Sequence, residues 1–254
     1  MMKIKQTLTL VSLLGFLNHG SVMAAEQSFA ISDWDELAVS GAYTIDIKEN
    51  ADQRRVLVNG ASEDIQELTV ETVRGKLVIK PKSHLSRIKD QLQITVFSPA
   101  SSIKEIELSG ASTVTFLWDK IASKEMEIDL SGASRLKIPQ LISREIDLDQ
   151  SGATKTEIRQ IQAGKLELES SGSNESLLAG TVETLKIEAS GAANLNLTDL
   201  SSKAAKLELS GASNLKLGPT ESIEGKASGA SRVSYQGQPK MNLSSSGAAT
   251  IKAN

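Results

Sequence analysis

Apolar and polar residues alternate along most of the chain, and a repeated tripeptide sets the phase of the alternation. Ser-Gly-Ala, or once Ser-Gly-Ser, recurs with its glycine at Gly41, Gly110, Gly132, Gly152, Gly172, Gly191, Gly211, Gly229 and Gly247. From Gly110 onward these glycines lie 18 to 22 residues apart. A period of about 20 residues is typical of a solenoid, in which each repeat stacks on its neighbours.

The positions at even distances from each glycine are mostly apolar. Four residues before the glycine, seven of the eight later repeats carry Ile or Leu, and four residues after it six of the eight are apolar. The positions between them carry mostly Lys, Glu, Asp, Arg, Ser and Asn. This period of two predicts β-strands with one buried and one exposed side, because a helix would need apolar residues three and four apart.

Each repeat therefore contains two strand segments around its glycine, and about nine further residues with one or two apolar positions. We expect a third, shorter strand in that remainder, which makes each repeat one coil of a parallel β-helix. An antiparallel sandwich is the main alternative, but it would need hairpin turns every 8–12 residues, and such signals are sparse. The predicted fold class is all-β, a parallel β-helix.

The tripeptide predicts a corner in each coil. A glycine inside a strand pattern marks a bend or a close approach of two backbones. Two residues after the glycine, each of the eight later repeats has a small side chain, namely Ser112, Ser134, Thr154, Asn174, Ala193, Ser213, Ser231 and Ala249. We expect little room at this corner, with polar side chains hydrogen-bonded from coil to coil. A structural role explains the pattern more simply than a linear array of binding groups.

The chain divides into three parts on this pattern. Residues 1–24 have Lys3 and Lys5, a short apolar stretch and a small-residue site ending at Ala24, which predicts a secretory signal peptide. Residues 25–105 read as irregular first coils with an inserted hairpin at Arg74-Gly75, which would cap the solenoid. Residues 106–254 hold the regular repeats. We expect the end coils to allow self-association, because their backbone groups lack a neighbour.

Composition excludes several classes of function. The chain has no cysteine, two histidines and 3% aromatic residues, which excludes disulfide scaffolds, thiolate chemistry and histidine-based zinc sites. Its 28 basic and 31 acidic residues give a net charge of −3, a poor match for nucleic acid. After the signal peptide no apolar run is long enough to span a membrane. We expect no cofactor, and an exported protein in the periplasm, on the surface or secreted.

Carboxylates supply the one candidate binding surface. Asp147 and Asp149 should point outward from one strand, with Asp129, Glu167 and Glu169 beside them on neighbouring coils. Such a stack could bind calcium or a polymer, or act as acid and base on a polysaccharide. In the linear sequence, bases including Arg135, Lys155 and Lys165 are interleaved with these acids, which favours an ordinary solvated face. The remaining histidine, His84, lies in a polar loop without a predicted partner.

The sequence also resembles a known family. The segment Leu37-Ala38-Val39-Ser40-Gly41, the strand Gly75-Lys76-Leu77-Val78-Ile79 and the segment Ile106-Glu107-Leu108-Ser109-Gly110-Ala111-Ser112 are similar to the bacterial GIN domain. The resemblance spans about residues 29–250 and implies a secreted β-helix, of the kind named as the head of autotransporter adhesins. The tripeptide Gly-Ile-Asn itself does not occur in this chain. The family supplies no catalytic residue.

Two functions follow as hypotheses. The first is a non-enzymatic envelope module that binds an unidentified polysaccharide or a protein, in the manner of an adhesin. The second is a polysaccharide-active enzyme, a lyase or a hydrolase, that uses the outward carboxylates. The second hypothesis predicts product release that depends on Asp149. Few aromatic residues and the lack of a predicted cleft favour the first.

Overall fold

The computed structural model describes residues 24–83, 92–99 and 102–253. These ranges form 19 strands and one short helix. The first strands are β1 (Ala24–Ala30), β2 (Glu36–Gly41), β3 (Thr44–Glu49) and β4 (Arg55–Ala61), followed by α1 (Ser62–Gln66) and by β5 (Leu68–Val73), β6 (Lys76–Pro81) and β7 (Gln93–Ser98). The predicted signal peptide up to Met23, and the loop residue His84, lie outside the described residues.

The remaining strands form the regular repeats. They are β8 (Glu105–Gly110), β9 (Thr113–Phe116), β10 (Ile121–Leu130), β11 (Arg135–Gly152), β12 (Lys155–Gly172), β13 (Glu175–Gly191), β14 (Asn194–Leu197), β15 (Leu200–Leu209), β16 (Asn214–Ala227), β17 (Arg232–Gln236), β18 (Lys240–Ser245) and β19 (Thr250–Ala253). Each pairs in parallel with the strand one repeat away, for example Leu148 with Leu168. The predicted parallel β-solenoid is confirmed, with about seven turns and coils about 20 residues apart.

Each regular coil has three sides. Between β11 and β12 the ladder runs in three segments, 135–138, 140–143 and 145–152, which are separated by single unpaired residues. We call the segments that end at the repeat glycines the first face, those that follow the glycines the second face, and the short segments such as 140–143 the third face. The third strand expected from the sequence is therefore present.

The first coils stack in an order that differs from their order along the chain. Strand β2 lies between β6 and β8, and β3 lies between β7 and β9, all in parallel. Antiparallel strands continue the stack outward, since β5 pairs with β6, β4 with β7, and β1 with β4. The hairpin predicted at Arg74-Gly75 connects β5 to β6, with φ of 53° and 86° at its two residues.

The core is a continuous column of aliphatic side chains inside the coils. Ladders such as Ile106, Ile128, Leu148, Leu168 and Ile187 place one fully buried residue of each coil on the next. Aromatic residues concentrate at the N-terminal end, where Trp118 packs against Trp34 and Phe116 with ring centroids 6.0 and 5.7 Å apart. Burial of these alternating side chains is the main favourable term for folding.

Candidate functional site

The first face carries a row of carboxylates at one position of successive coils. The ladder register places Asp129 opposite Asp149, Asp149 opposite Glu169 and Glu169 opposite Glu188, and Glu188 opposite Glu208. We call these five residues the acidic row. A second set, Glu127, Asp147 and Glu167, lies two residues earlier on the same coils. The structure thus brings together all five predicted candidates, Asp129, Asp147, Asp149, Glu167 and Glu169, on one face.

A row of serines follows the acidic row toward the corner. Ser131, Ser151, Ser171, Ser190 and Ser210 each precede a repeat glycine, and all but Ser131 are exposed. The acidic row and these serines line an open groove of about 600 Å³ along the first face. Because parallel strands are about 4.8 Å apart, the groove offers a carboxylate and a hydroxyl at each such step. Such a regular array suits an extended ligand better than a compact one.

The glycine corner fixes both rows. The amide of Ala153 donates to the Gly132 carbonyl at 2.7 Å, and equivalent bonds join the glycines of all the regular coils. A Cβ on Gly152 would lie 2.6 Å from that same carbonyl oxygen. The close stacking of backbones explains why the tripeptide tolerates only glycine at its centre. The corner thus holds the serines and carboxylates of successive coils in register.

A buried polar network supports the corner from inside. The Asn174 side chain accepts from the Thr154 hydroxyl at 3.0 Å and donates to the Ser170 hydroxyl at 3.0 Å and the Ser171 carbonyl at 2.8 Å. The Gln150 amide donates to the Thr156 hydroxyl at 2.8 Å and to that of Thr154 at 3.1 Å. The expected coil-to-coil hydrogen bonding is confirmed here. Below the middle of the groove, this network joins the coil of Gln150 and Thr154 to the coil of Asn174 and Ser176.

Several carboxylates of the first face form no ion pair within the described ranges. Among the described residues no ion pair joins Glu127, Asp129, Asp147, Asp149 or Glu169 to a base. Partial burial raises the pKa of Asp149, and the charges of Glu169, Asp129 and Asp147 raise it further. Burial and neighbouring acids likewise raise the pKa of Glu127. These groups therefore repel one another when ionised, and a cationic or hydrogen-bonding partner would relieve the repulsion.

Lysines neutralise the rest of this face. Lys165 contacts Glu145 at 2.7 Å and Glu167 at 2.9 Å, and Lys186 also pairs with Glu167. Hydrogen bonds from Lys186 and Lys165 lower the pKa of Glu167. Carboxylate oxygens of Glu167, Glu169 and Glu188 all lie within 4.8 Å of one another, close enough to share a cation. Lys165 and Lys186 already form ion pairs with Glu167, so the geometry favours ion pairs over a calcium site.

The interleaving of bases with the acids, expected from the sequence, is wrong for three of the residues. Arg135, Lys137 and Lys155 lie on the second face, across the glycine corner from the acids. Lys165 and Lys186 share the first face with the five candidates, and Lys206 and Lys226 continue on the same face in the following coils. The linear pattern misled because residues on the two sides of a glycine are close in sequence but project from different faces. Sequence reasoning also missed Glu188 and Glu208, which their position three residues before Gly191 and Gly211 would have revealed.

Comparisons with known proteins identify the family. Residues 33–239 match the family model described as "Putative auto-transporter adhesin, head GIN domain". The chain belongs to the GIN-domain family. The resemblance noted in the sequence is therefore confirmed. None of the curated proteins matches this chain.

Solved structures share the fold at low sequence identity. A protein from Parabacteroides distasonis described as a "putative adhesin" is 14% identical, with a TM-score of 0.82 and coverage of 92% of this chain and 98% of that one. A "putative adhesin" from Bacteroides fragilis is 18% identical, with a TM-score of 0.67 over 92% and 98%. A "putative lipid binding protein" from Parabacteroides distasonis is 19% identical, with a TM-score of 0.78 over 91% and 96%.

Within the described ranges, no helix has the length and apolar character needed to cross a bilayer. The helix α1 has five residues.

Proposed function

We propose that this GIN-domain protein is a non-enzymatic, adhesin-like module of the cell envelope that binds an extended polysaccharide along its first face. The observation that carries the proposal is the groove in which the acidic row and the neighbouring serines repeat over five successive coils. Carboxylates accept hydrogen bonds from sugar hydroxyls, and serines both donate and accept them. A polymer lying along the rod would meet the same pair of groups at each step of about 4.8 Å.

The family and the predicted leader support this assignment. Adhesin names recur among the structural relatives, and a signal peptide at residues 1–24 would deliver the chain to the envelope. The lipid-binding description of one relative names a different ligand class for that protein. In this chain the first face is polar and charged, which favours a hydrated polymer over an acyl chain.

A retention assay tests the proposal. The purified protein is passed over columns of immobilised bacterial and host polysaccharides at about 150 mM salt, where exposed charges are screened beyond about 8 Å. We expect retention on at least one neutral polymer, with no new reducing or unsaturated ends in the eluate. The triple variant Ser151→Ala, Ser171→Ala, Ser190→Ala and the triple variant Asp147→Asn, Asp149→Asn, Glu169→Gln should both lose retention.

A matched control separates the face from a general charge effect. Asp119, Asp199 and Glu221 are exposed acids away from the first face. The variant Asp119→Asn, Asp199→Asn, Glu221→Gln removes the same charge and should keep retention. Binding that survives both first-face variants would refute the proposal. Release of sugar ends that stops in Asp149→Asn would replace it with the polysaccharide-cleaving alternative.

A further inference from the structure

The second face carries three neighbouring bases, two of which form no ion pair within the described residues. Arg135 and Lys137 are exposed on β11, and among the described residues neither forms an ion pair with an acid. Lys155 is their neighbour in the next coil, in register with Arg135, and contacts Glu175 at 2.9 Å. We call Arg135, Lys137 and Lys155 the basic row. It is a group of three bases on a protein whose net charge is negative, and it is bordered in the ladder by Glu157 opposite Lys137 and by Glu175 opposite Lys155.

The basic row lies at the same height along the rod as the unpaired acids of the first face. Gly132 joins the segment of Glu127 and Asp129 to the segment of Arg135 and Lys137 within one coil. Gly152 does the same for Asp149 and Lys155. Each of these coils therefore carries acids on the first face and bases on the second face, and the two faces meet at the glycine corner. The two faces of one rod cannot meet each other, but those of two rods can.

We propose that the basic row docks onto the unpaired acids of a second copy of this chain, with the two rods side by side and parallel. A second copy is the expected partner because of charge complementarity. Glu127, Asp129, Asp147 and Asp149 form no ion pair among the described residues of their own chain and carry the charge opposite to that of the basic row. The spacing matches as well. Both sets are built on the same coils, so charges of the two copies coincide over successive coils without any axial shift.

The contact is heterologous, because it joins two different faces. Each added copy presents a fresh basic row and a fresh set of acids, so association continues until a ring closes or a layer forms. The inference does not depend on polysaccharide binding. It does predict that a polymer on the first face and a second copy compete for the same carboxylates.

Sedimentation velocity of the full protein tests the proposal. At about 20 mM salt, where screening is weak, we expect species larger than the monomer, and at about 500 mM salt we expect the monomer alone. Two variants each disable one side of the contact. Asp129→Asn, Asp147→Asn, Asp149→Asn removes the acids, and Arg135→Gln, Lys137→Gln, Lys155→Gln removes the basic row. Each variant alone should remain monomeric at low salt.

Mixing the two variants gives the decisive result. The first still has an intact basic row and the second intact acids, so the mixture should form heterodimers that grow no further. The control variant Asp119→Asn, Asp199→Asn, Glu221→Gln should assemble like the unaltered protein. Circular dichroism establishes that each variant keeps its strand content. A monomeric unaltered protein at low salt, or a mixture that stays monomeric, would overturn the proposal.

Two further outcomes also decide the matter. Assembly that persists in either triple variant would place the contact elsewhere, for example at the end coils, and would contradict the proposal. A protein that stays monomeric but is held on dextran sulfate through Arg135, Lys137 and Lys155 would show that the basic row serves an anionic polymer instead. Because neutral-polymer retention is measured at higher salt, its failure is distinguishable from a failure of assembly.

Discussion

Gly152 lies directly on Gly132, with the oxygen of Gly132 only 2.6 Å from where a Cβ on Gly152 would stand. The same contact recurs at 2.4 Å between Gly172 and Gly152. Backbone cannot move aside as a flexible side chain can. The spacing of coils at this corner is therefore set by the absence of side chains. The acidic row and the row of serines on the first face have the same spacing, because they lie on the same coils.

Gly152→Ala should destabilise the protein by about 3 kcal/mol or more, because it combines a backbone clash with a φ of 85°. Gly237→Ala is a matched control, since Gly237 has a φ of 83° but nothing within 4 Å of its added Cβ. We expect that variant to cost only about 1 kcal/mol. Urea unfolding measures both, and equal losses would show that strain in φ, not the stacking contact, dominates.

The buried network predicts a large effect at Asn174. Asn174→Ala removes an acceptor for Thr154 and a donor for Ser170 and Ser171, and it leaves those buried groups without their partner. We expect a loss of about 2–4 kcal/mol. Asn214 is the comparison, because its exposed amide makes one side-chain bond to Asn194 at 3.2 Å. Asn214→Ala should change the unfolding free energy by less than about 0.5 kcal/mol.

Thermal unfolding of the two variants, monitored by circular dichroism, checks this difference. A result in which both substitutions cost the same small amount would mean that water replaces the Asn174 amide. The network would then contribute little to the registration of the coils.

The contribution of the acidic row to the free energy of unfolding should fall as the pH rises. Burial and the neighbouring acids raise the pKa of Asp149, so the folded protein holds this proton more tightly than the unfolded chain does. Stability from this group is fully present below the pKa of the unfolded chain and is lost as the pH rises through the higher pKa of the folded protein. Asp149→Asn should therefore stabilise the protein at pH 7 by a few tenths of a kcal/mol, after allowance for screening at an exposed site, and lose this effect near pH 3.

Glu183 supplies the control of opposite sign. A hydrogen bond from Lys203 lowers the pKa of Glu183, so its contribution to stability is present near neutral pH and is lost on acidification. Glu183→Gln should destabilise slightly at pH 7 and have no effect at acid pH. Differential scanning calorimetry across this range measures both variants. If Asp149→Asn destabilised at pH 7, the mutual repulsion proposed for the first face would be absent.

The sequence predicted the coils and the shared face of the carboxylates for a physical reason. Strict alternation assigns each side chain to the inside or the outside, and a repeat near 20 residues aligns Asp129, Asp149 and Glu169 in one row. The two exceptions to the apolar pattern four residues after the glycine, Thr156 and Ser176, are polar because both contact Gln150 inside the coil. A pattern of single positions cannot show that such exceptions join into one network.

Other features depend on three-dimensional contacts that the repeat does not encode. The strand β2 lies between β6 and β8, although β6 follows it by some 35 residues in the sequence. No period links those segments, so their stacking order was not predictable. The direction of the bend at each glycine was equally hidden, and this is why Arg135 and Lys155 were expected among the acids and instead lie on the second face.

The hairpin between β5 and β6 gives a prediction about the N-terminal coils. Arg74 is the one residue other than glycine with a positive φ in the described ranges, at 53°. Asparagine tolerates this left-handed conformation better than arginine, and Asn-Gly is the favoured pair for a two-residue turn of this type. Arg74→Asn should raise the unfolding free energy by about 0.5 kcal/mol.

Gly75→Ala tests the other half of the same turn. Gly75 has a φ of 86°, and its added Cβ would lie 3.0 Å from the Asp35 carboxylate. Its carbonyl also accepts the amide of Asp35 at 3.0 Å, which links the hairpin to the start of β2. We expect Gly75→Ala to cost about 1 kcal/mol or more. Urea unfolding of both variants would contradict this account if Arg74→Asn destabilised the protein, because the turn would then depend on the arginine side chain rather than on backbone conformation.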